Sequence, residues 1–255
     1  MDDSQNAPGW PGIPPRWTSS AKSGVGTSLN PASRVWFTLS HGILSEVYYP
    51  RVDIACTRDL GLLVTDGRDF FSEEKRDATS WVSTLAEGVP AYRLVNTCKQ
   101  GRYRIEKEVL ADPQRDVVLQ RTHFVPLQGT LPNYHLYALL ASHLGNFGSG
   151  NTAWTGDYKG TPMLFAERDD YALALASSAP WLNLSVGFVG TSDGWQDVQR
   201  HKQMTWVYPR AENGNVALTG EIDMGASHGQ VVLALGFGRN AAEAGHRAGE
   251  LARWL

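Results

Sequence analysis

Cysteine is scarce in this sequence, which has only Cys56 and Cys98 among its 255 residues. Two cysteines cannot make the dense disulfide framework that holds small secreted domains together. Unbridged cysteines are among the most buried residue types. We therefore expect two free, largely buried thiols, with a single disulfide between them as the alternative.

Clustered positive charge and long apolar runs are also missing. The net charge is −3, and lysine and arginine are scattered, whereas proteins that bind nucleic acid or membrane surfaces usually carry a basic patch. The longest apolar stretches, such as VVLALGF at 231–237, are too short to cross a bilayer. We expect no nucleic-acid partner and no membrane. The acidic start, MDDSQNAPGW, lacks the apolar core of a signal peptide, which slightly favours the cytoplasm and leaves the compartment open.

Common catalytic and cofactor motifs are absent as well. The sequence has no GxSxG, P-loop, HExxH or CxxC motif, and no GxGxxG that leads into a helix. His135 and His143 could share one face of a strand, but eight residues of strand span about 27 Å, too far for two ligands of one metal. We expect no cofactor and no metal.

Pairs of acidic residues are the remaining catalytic candidates, because glycoside hydrolysis needs a carboxyl group on either side of one bond. We expect Glu73-Glu74 and Asp169-Asp170 to be solvated near turns or strand ends. We expect Glu106 and Glu108 to lie on an outward charged strand face. No carboxyl group is marked as buried in an apolar pocket, so the residues assign no catalytic group.

Alternation of polar and apolar residues is abundant from residue 33 onwards. Runs such as RYRIEKEVLA at 102–111 predict strands, and Asp66-Gly67 and Gln100-Gly101 predict hairpin turns. About a dozen such runs, with no repeat of fixed period, predict an all-β fold. We expect one large antiparallel β-sandwich over residues 33–238.

The two ends of the chain differ from this middle part. Residues 1–32 are rich in proline, glycine and serine, so we expect an extended arm that lacks regular structure and lies on the surface. Residues 239–255 predict a helix, with Asn240 as N-cap and an ion pair between Glu243 and Arg247. The helix has no C-cap glycine, so we interpret it as the start of a longer linker helix.

Tryptophan is plentiful, with nine residues in the chain. Trp154, Trp195 and Trp206 lie in sequence contexts that resemble loops, where a flat indole could stack on a sugar ring. The alternative is that they close the ends of the sandwich, because aromatic side chains gain most from burial.

The segment EVYYPRVDIACTRD at 46–59 has an unusual composition of aromatic and charged residues. Neighbouring residues of a strand point to opposite faces, so one tyrosine can pack inward while the other reaches outward. Aromatic residues and arginine are enriched at protein interfaces, although arginine–aspartate pairs also brace loops internally. We select six residues as candidates for an interface or for the rim of a substrate site: Tyr48, Tyr49, Arg51, Asp53, Arg58 and Asp59.

Several stretches together resemble the N-terminal domain of bacterial glucoamylases and glucodextranases. The resemblance extends over essentially the whole chain, and its two longest stretches are highly specific. The stretches are PPRWTSSAKSGVGT (14–27), SRVWFTLSHGILSEVYYPRVD (33–53), TRDLGLLVTDG (57–67), FFSEEKRD (70–77) and VGTSDGWQD (189–197).

The resemblance implies a supersandwich like that of mutarotases, then a helical linker and a catalytic α/α barrel. In this family the barrel holds both catalytic glutamates and releases glucose from α-glucans with inversion. Neither glutamate has a counterpart here, so this chain is expected to be inactive alone. Its expected partner is the barrel of the same full-length protein, and its expected role is to pack on that barrel beside the α-glucan site.

Two other functions remain open at this stage. The domain could be an independent carbohydrate-binding module that uses one of the three tryptophans. It could also be a sugar epimerase with a mutarotase-like fold, which would need an acid and a base on one sheet face. The sequence shows no such convergence of glutamate and histidine.

Overall fold

Two large antiparallel β-sheets pack face to face in the computed structural model, which describes residues 6–252, without the side chains of 251 and 252. The smaller sheet has the strand order β1-β2-β3-β4-β10-β16-β14, with β5 beside β4, and the larger has β15-β11-β12-β13-β17-β9-β8-β7-β6. The strands are β1 (Gly24–Thr27), β2 (Trp36–Ser40), β3 (Ile43–Tyr48), β4 (Thr57–Thr65), β5 (Phe71–Glu73), β6 (Ala78–Thr84), β7 (Tyr92–Cys98), β8 (Tyr103–Ala111), β9 (Val117–Pro126), β10 (His135–Ser142), β11 (Asn151–Tyr158), β12 (Thr161–Arg168), β13 (Tyr171–Ser177), β14 (Trp181–Phe188), β15 (Arg210–Gly214), β16 (Val216–Ile222) and β17 (Gln230–Gly238). The helices are α1 (Glu74–Asp77), α2 (Gly194–His201) and α3 (Ala241–Ala252), with short 3-10 turns at Leu131–Asn133 and Leu144–Asn146.

The predicted all-β sandwich is confirmed, and period-two patterning explains its core. In β8, residues 103, 105, 107 and 109 are buried between the sheets, while the residues between them are partly exposed. The main core is made of the apolar side chains on the facing sides of both sheets. Both predicted hairpins are present, since Asp66-Gly67 joins β4 to β5 and Gln100-Gly101 joins β7 to β8.

Two helices cover the outer faces of the sandwich. Helix α3 packs on the larger sheet over a second apolar cluster that includes Phe165 and Ala244. Helix α2 packs on the smaller sheet over a third cluster that includes Tyr137 and Val198. None of the helices in the described residues is long and apolar enough to cross a membrane.

Predictions for the ends of the chain are partly right. The arm lies on the surface, but it is not free of regular structure, because Gly24–Thr27 forms β1 and pairs with β2. The predicted cap is present, since the Asn240 Oδ1 accepts the Glu243 N–H at 2.9 Å, and Arg247 pairs with Glu243 at 2.5 Å. Residues 1–5 and 253–255, and with them the end of the predicted helix over 239–255, lie outside the described residues.

The two cysteines are free and buried, as expected. Burial raises the pKa of the Cys56 thiol to about 12, because the thiolate would lose its hydration. A group held so firmly in its neutral form is a poor nucleophile.

Candidate functional site

The two tyrosines of the 46–59 segment point in opposite directions, as predicted. Tyr49 is only 2% exposed and stacks on Phe237, with ring centroids 5.8 Å apart. Its hydroxyl group accepts hydrogen bonds from Arg34 at 3.0 Å and from Arg247 of α3 at 3.4 Å. Tyr49 is therefore a core residue that connects this segment to α3. Tyr48, by contrast, is only partly buried.

The loop between β3 and β4, residues 49–56, carries an exposed ion pair. Arg51 and Asp53 are joined at 2.5 Å, and both side chains are more than half exposed. The loop is fixed from outside by Asn146, whose side-chain oxygen accepts the Ala55 N–H at 2.7 Å and whose amide donates to the Asp53 carbonyl at 2.9 Å. This loop is ordered by its neighbours, while its charged tip faces solvent.

Arg58 and Asp59 belong to β4 and lie in a different environment from that loop. Asp59 is almost fully buried and accepts Lys75 at 2.7 Å and Arg58 at 3.2 Å. Burial raises the pKa of a carboxyl group, but the two cations outweigh it and hold the pKa of Asp59 below its ordinary value. The six candidates from the sequence are therefore divided between a core contact, a loop tip and a sheet face.

A cleft of about 260 Å³ opens on the outer side of the smaller sheet, and we call it the arm cleft. Its floor contains residues of β10 and β16, and the part of the arm at residues 13–18 forms one wall. Helix α2 and the β5–α1 turn form the opposite side. It brings together two sequence candidates, Arg58 and Trp195, with residues that sequence reasoning had not connected to them. The principal lining side chains are Trp17, Arg58, Glu73, Lys75, Arg76 and Trp195.

Trp195 lies in the first turn of α2, so its predicted loop context is wrong. The helix begins because the Asp193 side chain accepts the N–H groups of Trp195 and Gln196, at 2.9 and 3.1 Å. The sequence Asp193-Gly194-Trp195-Gln196 fits a capping box, a signal that sequence reasoning missed. Burial raises the pKa of Asp193, and all its hydrogen bonds serve the backbone, so it acts as a cap.

The other two tryptophans lie elsewhere. Trp154 lies in β11, contrary to its predicted loop context, and stacks on Phe165 with ring centroids 5.5 Å apart. Trp206 does lie in a loop, where the buried Asp197 accepts its backbone N–H at 2.7 Å. Neither lines the arm cleft, so Trp195 is the one sequence-selected platform beside a charged cleft.

The predicted solvation of the Glu73-Glu74 pair is wrong. Glu73 is partly buried, and its Oε2 accepts the Trp195 indole N–H at 2.8 Å and pairs with Arg76 at 3.1 Å. Glu74 is fully buried in an ion pair with Lys107. The one-turn helix α1 breaks the strand pattern here and sends the two neighbouring side chains to different environments. No group of three His, Cys, Asp or Glu residues within 6–252 could hold a metal.

His143 lies beneath the arm. It is 1% exposed, its ring contacts Trp17 edge-on with centroids 4.6 Å apart, and neither ring nitrogen has a hydrogen-bond partner within the described chain. Burial lowers the pKa of His143 to about 4, with a further lowering by Arg58 and a smaller opposing effect of Asp59 and Glu46.

We expect the fold to lose stability as the pH falls from 6.5 towards 4, because the unfolded chain takes up a proton on His143 that the folded chain refuses. The loss from this group is at most about 3.5 kcal/mol, since one pKa unit corresponds to about 1.4 kcal/mol. Urea unfolding at pH 7, 5.5 and 4 measures it. His143→Gln should reduce the dependence of the unfolding free energy on pH between 6.5 and 4. An unchanged dependence would refute the assignment of this effect to His143.

Comparison with known proteins supports the resemblance. The sequence profile of glucodextranase domain N matches residues 7–253. The chain belongs to this family. A glucoamylase from Clostridium sp. (strain G0005) is 39% identical over 234 residues, which cover 92% of this chain and 33% of that protein.

One solved structure agrees closely with the fold of this domain N. A crystal structure of a bacterial glucoamylase complexed with acarbose superimposes with a TM-score of 0.94 at 37% identity, covering 97% of this chain and 36% of that one. A putative aldose 1-epimerase from Escherichia coli K12 gives a TM-score of only 0.47 at 10% identity, too loose a likeness to bear on function. The domain N chain spans about a third of the length of the glucoamylases it matches.

Proposed function

We propose that this chain is the non-catalytic N-terminal domain of a glucoamylase-type hydrolase that releases glucose from α-glucans. In this proposal it packs on the catalytic domain of the same protein and shapes the rim of its active site. Its similarity to one third of two glucoamylases supports a domain that precedes a larger catalytic part.

The observation that carries the docking part of this proposal is a ridge of exposed side chains on two adjacent loops. Val52 of the β3–β4 loop is 59% exposed, and Phe147 of the β10–β11 loop is 53% exposed. Asn146 hydrogen bonds to Asp53 and Ala55 in the second half of the first loop and so holds the two loops together. Arg168 lies over the Phe147 ring at 4.3 Å, and Arg51 is exposed beside Val52.

This composition suits a contact with another folded domain. Apolar and aromatic groups flanked by arginines are enriched at the centres of protein interfaces. The ordered backbone beneath the ridge reduces the entropy lost on docking. The catalytic domain is the partner that the matched relatives favour, because they continue well beyond the matched region.

The proposal is tested in a chain that includes the downstream catalytic domain. Val52→Ser combined with Phe147→Ser should weaken interdomain contact, because both changes remove apolar area at its centre. We expect kcat/KM on maltooligosaccharides to fall about fivefold or more and hydrogen exchange in residues 49–56 to rise, since loss of an interface anchor costs more than about 1 kcal/mol.

The controls separate docking from folding. Arg121→Ala alters an exposed residue of the larger sheet and should leave both readouts unchanged. Tyr49 is unsuitable for this test, because its replacement would disturb the core. Unchanged kinetics and unchanged exchange in the double variant would overturn the docking role.

A further inference from the structure

We propose that the arm cleft is a binding site for a neutral hexose unit at the end of a short oligosaccharide. This inference goes beyond docking, since it assigns the domain a ligand of its own. The cleft volume of about 260 Å³ lies just below the range of about 300–1,000 Å³ that is usual for drug-sized ligands. It therefore suits one sugar ring, with the rest of a chain outside.

The first element of the site is an oriented indole. The Glu73 carboxylate accepts the Trp195 N–H at 2.8 Å, and Phe71 packs edge-on against the ring with centroids 5.7 Å apart. These contacts fix the plane of Trp195, which lies partly exposed at the cleft wall. A rigid, partly apolar ring surface is what the C–H face of a sugar packs against at low entropic cost.

The second element is a set of charged groups that are already paired with one another, three cations with two carboxylates. Glu73 pairs with Arg76 at 3.1 Å, and Asp59 binds both Arg58 and Lys75. Such pairs offer fixed donors and acceptors in one place, which matches the vicinal hydroxyl groups of a sugar. Because most cations have an acidic partner, the cleft is better suited to a neutral polyol than to an anion.

The third element is the wall supplied by the arm. Trp17 is 46% exposed and lies on the side of the cleft made by the arm, with an edge on the buried His143 ring. The arm is fixed on both sides of this tryptophan. The Ile13 N–H donates to the Val189 carbonyl at 2.9 Å, and the Thr18 hydroxyl donates to Glu46 at 3.0 Å. Two tryptophans from distant parts of the chain thus border one polar cleft.

The experiment titrates this chain alone with maltotriose, followed by calorimetry and by tryptophan fluorescence. We expect saturable binding with a Kd on the order of 1 mM, typical of a small exposed site. Trp195→Ala should weaken binding at least tenfold. Trp206→Ala is the matched control, since this tryptophan lies just beyond the same helix and outside the cleft, and its Kd should stay within about twofold.

A second variant guards against loss of folding. Trp17→Ala removes the opposite wall without touching α2 and should also weaken binding, while thermal unfolding confirms that both variants fold. No saturation at 50-fold the expected Kd, or equal affinity of Trp195→Ala and Trp206→Ala, would overturn the site. Preference for glucuronate over glucose would overturn the neutral ligand class. These results do not depend on the catalytic domain, so failure here is distinct from failure of the docking proposal.

Discussion

Replacement of Glu74 by alanine should lower the free energy of unfolding by about 3–5 kcal/mol, the usual cost of leaving one member of a buried ion pair without its partner. Both Glu74 and Lys107 have fully buried side chains, with Nζ and Oε1 2.6 Å apart. The alanine variant would leave the Lys107 ammonium group without a counter-charge in the space between the sheets. Urea unfolding with an unchanged m-value measures the loss.

The pair is embedded in a network that joins the two sheets. Lys107 belongs to β8 of the larger sheet and also donates to the Gly42 carbonyl at 2.7 Å, in the turn between β2 and β3 of the smaller sheet. Asn96 of β7 donates to Glu74 at 2.5 Å, and the Leu62 N–H of β4 donates to its other oxygen at 3.2 Å. Burial lowers the pKa of Lys107, and only the carboxylate beside it opposes that effect.

Two further variants serve as controls for this prediction. Glu108→Ala removes a carboxylate from the same strand on the outer face, where its partner Arg121 is 3.6 Å away and both are solvated. That change should cost less than about 1 kcal/mol. The double variant Glu74→Met with Lys107→Met should recover most of the loss, because no uncompensated charge remains. A loss below about 1 kcal/mol for Glu74→Ala would contradict the assignment.

Only one member of this ion pair could be predicted from the sequence. Period-two alternation places Lys107 on the inner face with Tyr103, Ile105 and Val109, so its burial follows from the strand pattern. Its partner could not be found in the same way. Glu74 comes from a one-turn helix at the end of β5, and only the packing of one sheet on the other brings it to β8.

The arrangement of the arm cleft likewise could not be predicted from the sequence. Arg58 and Trp195 were both selected from local composition, but for different roles and without any sign that they meet. They come together because β4 pairs with β10 and β10 with β16. These strands are neighbours in the sheet although they are far apart in the sequence. Hairpins were predictable because Asp66-Gly67 and Gln100-Gly101 act within a few residues. Contacts between distant strands depend on sheet order, which single residues do not specify.

The second large effect is expected for Asp116, which connects the arm side of the sandwich to α3. Asp116→Ala should lower the free energy of unfolding by about 3 kcal/mol, because a buried carboxylate with two arginine partners is lost. Its Oδ2 lies 2.5 Å from Arg34 and 3.2 Å from Arg247, and its Oδ1 accepts the Arg34 backbone N–H at 2.7 Å. These bonds are charge-assisted and therefore stronger than neutral ones.

The location of the loss distinguishes this variant from a general core defect. Arg247 lies in the middle of α3 and also contacts the Tyr49 hydroxyl group, so Asp116→Ala should speed hydrogen exchange in both residues 241–250 and residues 49–56. Asp116→Asn keeps an acceptor but loses the charge, and should have about half the effect. Fast exchange confined to the β8–β9 turn would show that Asp116 only braces its own turn. Coupled exchange would mean that the helix and the β3–β4 loop are held as one unit, as the proposed docking role of this loop requires.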